Sequence, residues 1–76
     1  MNQARRKQLS DLRSKLEELK SEVENIRDEE QEYYDNMPES FQQGEKGEVS
    51  SGAIGNLESA VSSLEDVMNS IEDSEA

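Results

Sequence analysis

From Leu9 onward, apolar side chains recur at steps of three and four. Leu9, Leu12, Leu16, Leu19, Val23 and Ile26 are followed by Tyr33 and Met37. In heptad letters, Leu9, Leu16, Val23 and Met37 take position a, and Leu12, Leu19, Ile26 and Tyr33 take position d. Glu30 is the one polar break at a. Only a helix brings residues at this spacing to one side; an alternating strand scatters them. The intervening positions are strong helix formers, and no Gly or Pro occurs between Met1 and Met37. A first helix is predicted over about 2–36, roughly 50 Å long at 1.5 Å per residue. Pro38 ends it, because the residue before a proline disfavours helical dihedrals. Residues 37–44 read as a turn, in which Phe41 is placed to fold back beside Tyr33 or Tyr34.

The same steps return in the second half at Ile54, Leu57, Val61, Leu64, Met68 and Ile71, with Ala53, Ala60 and Val67 beside them at g. Two starts compete for this helix. Val49 and Ile54 fit a hydrophobic staple around an N-cap at Ser50, which favours a start near Ser51. A start at Glu45 places Glu45 and Glu48 at the positive end of the helix dipole. It also sets Gly47 and Ser50 against the bulky Glu30–Tyr33 stretch. The earlier start is preferred, giving a helix over about 45–73 and a short acidic tail over 74–76. Gly52 and Gly55 fall at outer positions.

Two helices with a short connector pack antiparallel. The predicted fold is all-α: one antiparallel two-helix coiled-coil hairpin over residues 1–76. Two amphipathic stripes make a thin core, of the order of 3–5 kcal/mol for so short a chain. A homo-oligomer is therefore expected, a dimer forming a four-helix bundle, with a higher oligomer as the alternative. Its predicted seam comprises Leu9, Leu12, Leu16, Leu19, Val23, Ile26, Ile54, Leu57, Ala60, Val61, Leu64, Met68 and Ile71.

Charge adds a second pattern. The 76 residues carry 19 acidic and 8 basic side chains, a net charge of −11. Residues 1–20 hold six basic residues against three acidic ones. Residues 21–76 hold two against sixteen. Such segregation calls for an internal pairing or a partner. The antiparallel hairpin predicts that Arg5, Arg6 and Lys7 meet Glu72, Asp73 and Glu75, leaving the turn end strongly negative.

Candidate chemistry is sparse. Cysteine and histidine are absent, which removes thiolate, disulfide and imidazole chemistry. The acidic run Asp28–Asp35 lacks the alternating ligands and central glycine of a calcium loop. No dry pocket is expected to separate the pKa values of two carboxylates for acid–base work. No Gly-rich phosphate loop is present. No catalytic residue, cofactor or metal is therefore assigned. Neither a membrane-spanning stretch nor a secretory h-region is visible, so a cytoplasmic protein is expected. Three basic residues before a long acidic stretch are a poor nucleic-acid footprint, and direct nucleic-acid binding is not expected. A rigid acidic helix can instead imitate a phosphate backbone and occupy a basic groove. The candidate partner-binding residues are Asp28, Glu29, Glu32, Tyr34, Asp35, Glu39 and Phe41.

The stretch from Ile26 to Ser40, then Gln42–Glu48 and an Ala/Leu/Glu helix from Ala53 to Glu72, resembles small acidic helical-hairpin proteins of bacteria and their phages. These share a YYDNMPE-like turn between two charged helices. Tyr33–Glu39 is the most specific part. Val49, Ser50, Ser51 and Gly52 depart from the Ala/Glu-rich helix of that group. The resemblance implies a phage or mobile-element context, in which small acidic proteins often inhibit host nucleic-acid machinery, anti-CRISPR proteins among them. It transfers no binding residue. The function expected is a non-enzymatic acidic inhibitor of a basic host protein. The alternative is an assembly coiled coil that docks through its apolar seam.

Overall fold

The computed structural model describes residues 1–75. They form an antiparallel helical hairpin. Helix α1 spans Gln3–Asp35, a single helical turn α2 spans Glu39–Gln42, and α3 spans Glu45–Glu75. The rod measures 58 × 15 × 12 Å.

Each helix end has a local cause. Asn2 caps α1, its side-chain oxygen accepting the Arg5 N–H at 2.8 Å, which satisfies a donor that the first turn leaves free. At the other end the Asn36 N–H still reaches the Glu32 carbonyl and the Met37 N–H that of Tyr34. Pro38 then stands in extended geometry as the cap of α2. Helix α3 starts at Glu45, and the Glu48 N–H donates to the Gly44 carbonyl at 3.1 Å. Glu45 and Glu48 occupy its first turn. The helix runs on to Glu75, so Ser74 and Glu75 are helical and not tail. Arg13 of α1 holds Glu75 at 3.1 Å and lies 3.9 Å from Glu72.

The core is small. Ile54 and Val61 are the only buried apolar side chains among the described residues; Gly47 and Ser50 are buried beside them. All four lie at a or d of α3. Helix α1 buries none of its residues completely. Its half-buried residues concentrate at a (Leu9, Leu16, Val23, Glu30, Met37) and at e (Arg13, Lys20, Arg27, Tyr34). The expected a/d seam is thus rotated. Leu12, Leu19, Ile26 and Tyr33, the whole d row, are each about half exposed. The e row explains the rotation. Arg13 reaches Glu75, and Lys20 reaches Glu65 at 3.2 Å. Long basic side chains cover apolar surface with their stems while the charged heads meet partners. Turning α1 toward e engages these residues and turns d outward. The Lys20 ammonium titrates above the ordinary lysine value, chiefly through its bond to Glu65, with Glu17 and Glu24 adding to the shift and partial desolvation opposing it.

Glu30, the break in the heptad, has a partner. Its carboxylate accepts the Ser50 hydroxyl at 2.7 Å across the helix pair, and Ser50 is only 3% exposed. Removing a donor from a partly buried carboxylate costs about 1–3 kcal/mol, whereas replacing both partners by apolar groups is near neutral. Ser50→Ala should therefore lower the urea midpoint, and Ser50→Ala/Glu30→Leu should recover most of the loss.

Candidate functional site

The acidic end of the rod is built by the α1 terminus, α2 and the start of α3. Residues 21–48 hold ten acidic and two basic side chains, net −8. Asp28, Glu29, Glu32 and Asp35 take positions f, g, c and f, an arc about 100° wide on the side of α1 away from α3. All four are exposed, and Glu39 joins them on α2. The two cations nearby are already engaged. Arg27 binds Asp28 at 3.0 Å, and the Lys46 ammonium sits 5.7 Å from the Phe41 ring centroid, a cation–π distance. Gln31 donates to Asp35 at 3.0 Å, which fixes that carboxylate along the helix. No three of these carboxylates, nor any other Asp or Glu among the described residues, converge to hold a metal ion.

The turn itself is braced. Gln42 donates through Nε2 to the Tyr34 carbonyl at 2.9 Å, tying α2 to the end of α1. Tyr34 is half-buried there, while Tyr33 is exposed. This reverses the expected roles, with Tyr33 as core and Tyr34 at the edge, and it follows from the same rotation of α1 toward e. Phe41 folds back beside Tyr33, with which it lines a shallow pocket that Met37 also borders, but it stays about half exposed and does not cover the core. The surface at this end therefore combines Phe41 and Tyr33 with a field of carboxylates. Of the candidate partner-binding residues, Tyr34 faces inward and supports the turn; the other six are accessible.

The opposite end also departs from expectation. Arg5, Arg6 and Lys7 make no ion pair among the described residues. Arg13 takes the place expected of them. Arg13–Glu75, Lys20–Glu65 and Glu30–Ser50 set the register, and in this register the first turns of α1 project past the end of α3. Among the residues proposed for self-association, Ile54 and Val61 lie inside the hairpin, Leu9, Leu16 and Val23 line it, and Leu12, Leu19 and Ile26 face out.

Searches against protein-family models, curated proteins and solved structures found no match to this chain. Among the described residues, no helix is long and apolar enough to cross a membrane. The local geometry therefore carries the functional reading.

Proposed function

We propose that this chain is a non-enzymatic protein-binding module, an acidic inhibitor carried by a phage or mobile element, of the anti-CRISPR or another anti-defence kind. It lays its acidic turn end on a basic, nucleic-acid-binding surface of a host protein in the bacterial cytoplasm. The observation that carries this reading is the exposed carboxylate face of Asp28, Glu29, Glu32, Asp35 and Glu39, whose nearby cations Arg27 and Lys46 are both engaged locally. A surface of one sign, held on a braced helix, attracts an opposite surface at long range and speeds encounter. Phe41 supplies an apolar anchor within the field, an aromatic residue of the kind enriched at interface cores. The mobile-element context rests on the resemblance of the Tyr33–Glu39 turn.

The test is charge reversal. Glu32→Lys/Asp35→Lys/Glu39→Lys alters exposed positions only. Nucleic-acid-binding proteins captured from a bacterial lysate by the wild-type chain should be released by competing duplex DNA. Capture should weaken steeply with salt, because a Debye length of about 8 Å at physiological ionic strength screens exposed charges. The triple variant should capture none of them. Binding that survives the reversal at low salt refutes the electrostatic reading. That result would favour the second reading, an assembly protein docking through apolar surface, for which the exposed Leu12, Leu19, Ile26 and Tyr33 row speaks.

A further inference from the structure

The carboxylates of α3 are confined to one side. Glu45, Glu48, Glu58, Glu65, Asp66, Glu72 and Asp73 take positions e, f and b, and Glu75 takes a. The c and g rows contain Lys46, Val49, Ala53, Asn56, Ala60, Ser63, Val67, Ser70 and Ser74, without one acidic group. In a chain with 19 carboxylates, that leaves a neutral strip the length of α3. The outward d row of α1 borders it. One shallow groove is lined by Tyr33, Val49 and Ala53 together with the charged Glu30, Glu45 and Lys46, and another by Leu9, Val67 and Ile71 together with Asp66. The rod therefore has one face along which apolar side chains run between flanking charges, and an acidic remainder.

We propose that this face is covered by a second copy of the chain, pointing the same way, so that α1 of each copy lies on α3 of the other. Three observations select this occupant. The first is area. Leu12, Leu19, Ile26, Tyr33 and Val67 are each about half exposed and Val49 more so, an apolar strip along a rod 58 Å long, the length over which an interface of roughly 800 Å² per partner can form. The second is charge. The c and g rows of α3 carry no carboxylate, so they tolerate the close approach of an equally acidic molecule, which the e, f and b rows forbid. The third is shape. The register of Lys20–Glu65 and Glu30–Ser50 sets Leu19 level with residues 61–66 of α3, Ile26 with 54–59 and Tyr33 with 47–52, so that along the g row Leu19 falls between Ala60 and Val67, Ile26 between Ala53 and Ala60, and Tyr33 between Lys46 and Ala53. A two-fold axis along the rod keeps those levels and exchanges the helices. Each large side chain of α1 then meets a smaller one of the other copy's α3, and Lys15, Glu22 and Glu29 at g meet the neutral c row. Reversing one copy instead stacks large on large along α1 and small on small along α3, and sets Glu22 against its own copy. That packing mismatch outweighs the two Lys15–Glu29 pairs it would offer, since exposed pairs contribute little.

The chain has no cysteine, so single cysteines report geometry directly. Light scattering behind size exclusion should give twice the 8.6 kDa chain mass. Leu19→Glu, at a half-exposed site, should give a monomer. Because that variant can also lose structure on dissociation, a size swap separates the causes. Ala60→Leu should weaken the dimer at least about tenfold, whereas a merely sticky face would be strengthened by the added apolar surface. Adding Ile26→Ala to Ala60→Leu should restore most of the affinity. Differently tagged Ile26→Cys and Ala60→Cys chains, mixed and oxidised, should cross-link to each other. Cross-linking of Ile26→Cys to Leu19→Cys in their place would show opposed copies and overturn the proposal. A wild-type chain that remains monomeric at sub-millimolar concentration would overturn it as well, and would leave the face to a different protein.

Discussion

Gly47→Ala should destabilise the hairpin by about 1–3 kcal/mol, against the usual direction of a Gly-to-Ala change inside a helix. Alanine is normally favoured there by about 1 kcal/mol. At Gly47 a methyl group would collide with the Gln42 carbonyl and its own carbon, both backbone atoms. Backbone cannot swing aside as a side chain would. Relief requires α2 to move off α3, which breaks the Gln42–Tyr34 bond and opens the buried site beside Ser50. Overpacking of this kind costs about 1–3 kcal/mol, and the lost alanine benefit no longer offsets it. Gly52 and Gly55 are the internal control. Nothing lies within 4 Å of a methyl group at either, so Gly52→Ala and Gly55→Ala should each gain about 0.5–1 kcal/mol. Urea midpoints of the three variants check the opposed signs. A Gly47→Ala midpoint equal to the other two would remove the steric account of the turn.

The contrast also shows where sequence reasoning reached its limit. The steps of three and four identify two helices, the short connector their antiparallel pairing, and Glu45 and Glu48 at the positive end of the dipole the start of α3 at Glu45. They do so because apolar spacing and propensity are local. Which flank of the stripe faces inward is not local. Heptad letters assign Leu12 and Leu19 to the seam as readily as Leu9 and Leu16. The choice depends on whether Arg13 and Lys20 can reach carboxylates more than forty residues away. The same step exchanged Tyr33 and Tyr34 and put Arg13 where Arg5–Lys7 were expected. Glu30 looked like a defect in the heptad because its partner, Ser50, lies on the other helix. The acidic face was legible throughout, since exposed charge on a helix follows from spacing alone. The neutral strip of α3 was visible in part, as the alanine row at g. Its meaning depends on the outward d row beside it.

Ile54→Ala should be the most damaging truncation in the chain, and its effect should not depend on protein concentration. Ile54 is 8% exposed and packs inside a single hairpin. Cutting a buried isoleucine to alanine costs about 2–5 kcal/mol, comparable with the whole stability a core of this size supplies. The variant should lose most of its far-UV circular dichroism at temperatures where the wild type stays helical. Leu19→Ala makes the opposite case. Leu19 is half exposed in the hairpin, so within one chain the truncation removes about 1 kcal/mol of burial. Under the two-copy arrangement the same side chain is covered, once in each copy, and the cost doubles only when copies meet. The melting temperature of the wild type should then rise with concentration, and Leu19→Ala should flatten that rise while Ile54→Ala displaces it downward unchanged in slope. A wild-type melting temperature that does not move with concentration would assign all the stability to the single hairpin. Ile54, Val61, the Glu30–Ser50 bond and the Gln42–Tyr34 brace would then hold the acidic turn in place without a second copy.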